Sequence, residues 1–277
     1  YIIVGAGRAG SIVAGWLARA GADVLLIEAG GDNFNPAIES LHQYFNVAFN
    51  SYNYGFMQWD YSTTEQTMKG ASLHQEIVLE APSSKVISLP RGKVLGGNHS
   101  INAAAYVQAN AEDFNVIAEE LGDSEWEWES TQELRSALEE RLGGILELGI
   151  DQVGASDFVE TASEVLGFPF NPDPTNGTQY GISPSFWTAK NSFSGGRRQS
   201  SFESFVLPLL KKKSADYGKV DVVTFHMVDH LIFDPTDATR VLGVSCHNLR
   251  ANTPTEFYAT QEVIVSSGTY NSPQLLQ

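Results

Sequence analysis

The chain begins with an unbroken apolar run. Tyr1-Ile-Ile-Val4 leads directly into a glycine-spaced turn, Gly5-Ala-Gly7-Arg-Ala-Gly10. A strand with no polar alternation is one buried on both faces. The period then changes. Ile12, Val13, Trp16 and Leu17 fall at i, i+1, i+4 and i+5, one side of a helix over Ser11 to Ala20. A second apolar run, Val24-Leu-Leu-Ile27, stops at Glu28. The pattern predicts a βαβ unit.

The spacing Gly5-x-Gly7-x-x-Gly10 between that strand and that helix is a dinucleotide fingerprint. Gly5 permits the tight turn, Gly7 lets the backbone approach a pyrophosphate, and Gly10 lets helix and sheet pack closely. The helix N-terminus offers unpaired N–H groups to phosphate. An acid closing the second strand, here Glu28, accepts hydrogen bonds from ribose hydroxyls and disfavours a 2′-phosphate.

Further along, periodicity weakens. Residues 32–90 hold an aromatic cluster (Tyr52, Tyr54, Phe56, Trp59, Tyr61) and read as a long excursion with a few short elements, a lid or simply core packing. Leu89-Pro-Arg-Gly-Lys-Val-Leu-Gly96-Gly97-Asn98-His99-Ser100 is a loop in which the backbone can approach a flat ligand. Residues 112–145 read as helical, with Ser130 and Glu133 as a capping box for the second helix. Asp157 to Leu166 reads as another helix, ended by Gly167 and Pro169. Gln199 to Lys212 reads as a helix that Pro208 must kink or restart. Val220 to Val228 reads as one strand, followed by a β-meander through Thr260 and a buried strand from Glu262 to Gly268.

Charge narrows the partners. With 33 acidic against 17 basic residues, the net charge is −16, which argues against nucleic acid and against an anionic membrane surface. Lys211-Lys-Lys213 reads as a solvated helix end. No run of apolar residues reaches the length of a membrane span. The single cysteine, Cys246, permits no internal disulfide and leaves the compartment open. An extracellular location is compatible with a sequon at Asn176; a second sequon, at Asn98, falls in the ligand loop.

Sharper chemistry finds little support. His226 and His230 fall on a strand, which sets them roughly 13 Å apart and excludes a shared metal. Glu125, Glu127 and Glu129 alternate with Trp126 and Trp128, a pattern for a surface loop with anchoring tryptophans. There is no Gly-x-Ser-x-Gly elbow for hydrolase chemistry. His99 reads as a structural hydrogen-bonding residue before a substrate contact.

Three separated segments resemble the glucose-methanol-choline family of FAD oxidoreductases. They are Val4 to Gly10 with Leu26-Ile-Glu-Ala-Gly-Gly31, Arg91 to Asn102, and Val265-Ser-Ser-Gly-Thr-Tyr-Asn-Ser-Pro-Gln-Leu-Leu276. Gly196-Arg-Arg-Gln-Ser-Ser-Phe with Leu207-Pro208 adds a fourth similarity. The resemblance implies an α/β fold: a Rossmann-like FAD-binding domain with a β-meander and part of a substrate-binding domain. Residues 1–277 would be the N-terminal FAD-binding unit, incomplete at both ends, with residues 150–205 an excursion toward the substrate domain.

By residue-wise carry-over, Gly5, Gly7, Ala9 and Gly10 face the pyrophosphate, and Glu28 the ribose. Gly97, Asn98, Asn102 and Ala103 line the flavin side. Val228 meets the adenine through its backbone, and Gly268 closes the site. Members with a covalent flavin carry a histidine where this chain has Ile101, so the resemblance implies non-covalent FAD. It also implies oxidation of an alcohol, sugar or choline-like substrate, with the catalytic histidine beyond Gln277. The electron acceptor is not legible. A hydroxynitrile lyase of the same family is the alternative, as Ile101-Asn-Ala with Tyr106 and Ala109-Asn110 is similar to that branch. A non-catalytic FAD-binding fragment is a third reading.

Overall fold

The computed structural model describes residues 1–40, 58–62, 88–142, 146–148, 155–183, 186–190, 196–211 and 214–277. Its strands, in chain order, are β1 (Ile2–Val4), β2 (Val24–Ile27), β3 (Gln58–Ser62), β4 (Ser88–Gly92), β5 (Ala105–Tyr106), β6 (Leu146–Leu148), β7 (Phe186–Lys190), β8 (Arg197–Arg198), β9 (Val220–Val223), β10 (His226–Asp234), β11 (Asp237–Asn248), β12 (Thr253–Tyr258) and β13 (Val263–Val265); α1 spans Arg8–Arg19.

The apolar runs at 1–4 and 24–27 become the centre of a parallel sheet ordered β13-β1-β2-β9. Both faces are covered, which is why neither run alternates. Ile3 and Leu26 pack with Ala14, Phe202 and Val206 on one side. Ile2, Val4 and Ile27 pack with Val244 and Cys246 of the antiparallel meander β10-β11-β12 on the other. The expected α/β architecture with its meander is therefore present.

Helix α1 departs from the reading in its buried face. Gly10, Ser11, Ala14, Gly15 and Ala18 are buried, whereas Trp16 is 39% exposed. Proximity explains the inversion. A Cβ on Gly15 would lie 2.9 Å from both Cβ and O of Phe205, so small residues, not the bulky ones, take the closest contact. Val13 and Leu17 pack only at the margin of that core.

The expected single strand Val220–Val228 is two. Phe225 adopts φ +58 and turns the chain out of the parallel sheet, where β9 pairs with β2, into the meander, where β10 pairs with β11. Pro208 acts as foreseen: a π-helical turn over Phe202–Val206 precedes the helix Leu207–Lys211, since proline has no N–H to donate into the preceding turn.

The helical region after residue 110 divides into Ala111–Leu121, ended by left-handed Gly122, and Gln132–Leu142. Capping is found on the first of these, where the Asn110 N–H donates to Asp113 Oδ2 at 2.9 Å. The second begins after Thr131, so Ser130 does not sit at its cap. Of the two tryptophans beside it, Trp128 is the anchor, with the Arg135 guanidinium 3.2 Å above its ring and Phe114 at its edge; Trp126 is exposed. The helix Ala155–Leu166 ends, as expected, at Gly167. A smaller antiparallel sheet, β5-β7-β6 with β8 on β7, stands apart from the parallel one. The lid reading falls mostly outside the described residues, with the short pair β3–β4 at its margins.

Candidate functional site

A cavity of about 1020 Å³ opens where β1, β2 and β13 end and α1 begins. This is the switch point of the sheet, because β1 pairs with β2, the next strand in sequence, on one side and with the last strand, β13, on the other. The loop Arg91–His99, the start of β10 and the helix Gly268–Leu276 complete its walls.

The glycines act through space they leave empty. Gly5 takes φ +97, and a Cβ on Gly10 would lie 2.0 Å from the Gly5 carbonyl oxygen. Gly97, at φ +54, would place a Cβ 2.9 Å from Cα of Gly7, so the fingerprint turn and the second glycine loop touch backbone to backbone. Nothing acidic and no side-chain cap occupies the first turn of α1. Gly7, Arg8 and Ala9, at this end of the helix, line the cavity, and the first-turn N–H groups have no partner within the helix.

Glu28 is buried and accepts from two backbone donors, Ala6 N–H at 3.0 Å and Gly30 N–H at 2.9 Å. Burial pushes its carboxyl up to about 7, against the pull of those hydrogen bonds and of Lys93. Each carboxylate oxygen keeps a further lone pair for a donor in the cavity.

The loop after Gly97 is fixed by a directional relay. The Ser201 N–H donates to His99 Nδ1 at 3.1 Å, which leaves Nε2 as the protonated nitrogen facing Thr188 Oγ1 at 3.0 Å. The Thr188 hydroxyl donates onward to the Ala104 carbonyl at 3.1 Å. Burial, with Arg8 and Arg198 nearby, pushes the imidazole down to about 3, so the ring is neutral. Beneath it, buried Arg198 donates to Ile38 O, His99 O and, at 2.7 Å, Asn102 Oδ1.

Of the residues read from sequence, Gly5, Gly7, Ala9, Glu28, Gly97, Asn98, Val228 and Gly268 line the cavity. Gly10 is buried behind it as a packing residue. Asn102 and Ala103 do not line it: Asn102 turns to Arg198 and to the Ala104 N–H, and Ala103 is exposed. Val228 lies at a register shift between β10 and β11.

Sequence reasoning assigned no cofactor contact to Arg8, Arg91, Tyr270 or His226, all of which line the cavity. Arg8 and Arg91 carried a signal, since a cation set among glycines of a ligand loop is a candidate anion contact. His226 did not. Its ring engages Thr224 O and Asn248 Nδ2, contacts created by the turn at Phe225. Among the described residues no cluster of His, Cys, Asp and Glu could hold a metal, and no helix is long and apolar enough to cross a membrane.

The family model described as GMC oxidoreductase matches residues 1–277. An oxygen-dependent choline dehydrogenase from Rhizobium johnstonii is 29% identical over the whole chain, which covers 46% of that protein. An ecdysone oxidase from Bombyx mori is 28% identical, with 40% of its length covered. Among solved structures, a variant of the Aspergillus oryzae formate oxidase superposes with a TM-score of 0.75 at 25% identity, covering 99% of this chain and 46% of that one. The chain thus spans about half the length of the relatives it matches.

Proposed function

The chain belongs to the glucose-methanol-choline (GMC) oxidoreductase family, an FAD-dependent family, and from that premise we propose that the protein oxidises the CH–OH group of a small alcohol, sugar or choline-like molecule. The polarity of the cavity carries this reading. Its lining combines the fingerprint residues Gly5 and Gly7, the cations Arg8 and Arg91, and the acids Glu28 and Asp229. That lining offers arginines and a helix N-terminus to a diphosphate and a carboxylate to an unphosphorylated ribose. The volume is at the upper end of the roughly 300–1,000 Å³ common for small-molecule sites, as an elongated dinucleotide requires.

The residues that would hold FAD are Gly5, Gly7 and Ala9 at the diphosphate, Glu28 at the ribose, Val228 at the adenine, and Gly97, Asn98 and Gly268 toward the flavin. Bound FAD would supply the acceptor for a hydride leaving the carbinol carbon. The two histidines of the cavity wall do not serve as the base in this reading, because both ring nitrogens of each are already hydrogen-bonded to protein. We assign the proton acceptor to the part of the family's length that this chain does not cover. The same commitment of His99, and the burial of Ile101 against Ile38 and Val94, support a flavin held without a covalent link.

The test uses the purified full-length protein. Acid precipitation should release the yellow chromophore into the supernatant, and anaerobic addition of alcohols should bleach it. Colour that persists through every alcohol while a cyanohydrin is cleaved would replace the oxidoreductase with a lyase. Absence of flavin would remove both.

A further inference from the structure

The geometry points to Arg8 as a diphosphate-binding residue whose guanidinium sets the affinity of the cavity for its cofactor; this rests on the dinucleotide reading of the site. Arg8 is the first residue of α1. A cation there opposes the helix dipole, whose positive end lies at the N-terminus. Nothing among the described residues offsets the conflict. The first turn holds no acid, and no carboxylate among the described residues lies within ion-pair distance of Arg8. The chain carries a net charge of −16, yet none of its described carboxylates pairs with Arg8.

What Arg8 does have is the cavity, which it lines beside Gly7 and Ala9. Arg91 lines the same cavity, held by the Ser267 carbonyl and by Asn271. Two arginines and the N-terminal turn of α1 therefore line the same cavity. His99, also in that lining, remains neutral and adds no countercharge of either sign. A dianionic diphosphate resolves all of these at once: it balances the dipole, gives Arg8 a partner with two oxygens suited to its planar fork, and draws the adenosine toward Glu28. The fingerprint glycines admit the phosphates, and Arg8 supplies the charge that retains them.

The experiment compares ADP with adenosine as calorimetric ligands for the full-length protein after flavin removal, in wild type, Arg8→Gln and Arg8→Lys. Arg8→Gln should bind ADP about 10- to 100-fold more weakly, the span expected for losing a charge-assisted contact, and with a shallower dependence on salt. Arg8→Lys should recover part of the affinity. Adenosine, which lacks phosphate, should bind all three alike. The inference is overturned if Arg8→Gln binds ADP as wild type does, if it loses adenosine to the same extent, or if wild type binds no ADP. A wild-type protein that binds ADP with this Arg8 dependence but shows no alcohol-driven bleaching would refute the proposed oxidation and leave the role of Arg8 standing.

Discussion

Arg91 Nη2 donates to the carbonyl oxygen of Ser267 at 3.1 Å, a bond that joins two segments far apart in sequence. Nη1 of the same side chain bonds Asn271 Oδ1, and the guanidinium lies 5.1 Å from the centre of the Tyr270 ring. One buried arginine thus fastens the end of β4 to the turn that follows β13 of the parallel sheet.

Replacement of Arg91 should loosen that turn. Hydrogen bonds to charged groups contribute about 1.5–3 kcal/mol each, and lysine cannot keep both arms of the planar fork. Arg91→Lys is expected to lower stability by about 2 kcal/mol, and Arg91→Met by more. Thermal denaturation of the flavin-free protein reads the difference. Equal melting of Arg91→Met and wild type would show that the clasp carries no load.

Two glycine substitutions should differ sharply although both are single methyl additions. At Gly10 the new carbon would lie 2.0 Å from the Gly5 oxygen and 2.5 Å from Ser266 Oγ, so the helix and the fingerprint turn cannot both keep their places. At Gly21, with φ +90, nothing lies within 4 Å, and only backbone strain remains, about 1–2 kcal/mol. Gly10→Ala is expected to yield little soluble protein, and Gly21→Ala a folded one with a modestly lower melting temperature. Comparable expression and melting of the two would contradict this account.

Arg198 offers a third case. It is 1% exposed, and three acceptors depend on it. Burial pushes its guanidinium down to about 10 despite Glu203, so it is charged at neutral pH. Arg198→Met would leave Ile38 O, His99 O and Asn102 Oδ1 without this donor in a closed interior. Loss of one member of such a buried network costs about 3–5 kcal/mol. Chemical denaturation should show that drop, and a loss below about 1 kcal/mol would mean the interior rearranges freely.

The legible parts of this fold are those written in local pattern. The apolar runs at Ile2–Val4 and Val24–Ile27, the glycine spacing and the turn at Asp234-Pro235 each state their geometry within a few residues. Gly167 likewise marks the end of its helix. The illegible parts depend on distant neighbours. Nothing near Trp16 says that its helix would bury Ala14 and Gly15 instead; the approach of Phe205, far along the chain, decides it. Phe225 carries no turn signal of its own kind, yet it takes a left-handed backbone because Gly30 O accepts its N–H and its carbonyl accepts from Leu249. His99 reads as a structural residue from sequence, but its partners Thr188 and Ser201 could be named only from the fold.

The pH dependence of stability should expose two buried groups acting in opposite directions. Glu28 sits at about 7 in the fold, above its ordinary value of 4.5. As pH rises through that interval the unfolded chain ionises first, so the Glu28 contribution falls with rising pH. His99 sits at about 3, below its ordinary 6.5. As pH falls through that interval the unfolded chain takes up a proton that the folded ring refuses, so the His99 contribution falls with falling pH. Between about pH 4.5 and 6.5 the two slopes oppose, each limited to about 1.4 kcal/mol per pH unit for one proton. Glu28→Gln removes the first and should make stability climb more steeply with pH in that window. His99→Gln removes the second while keeping a donor for Thr188 and an acceptor for Ser201, and should make stability decline as pH rises toward 7. Denaturation midpoints of the flavin-free protein across the window measure both, and identical pH profiles for wild type and the two variants would show that neither group is held away from its ordinary titration.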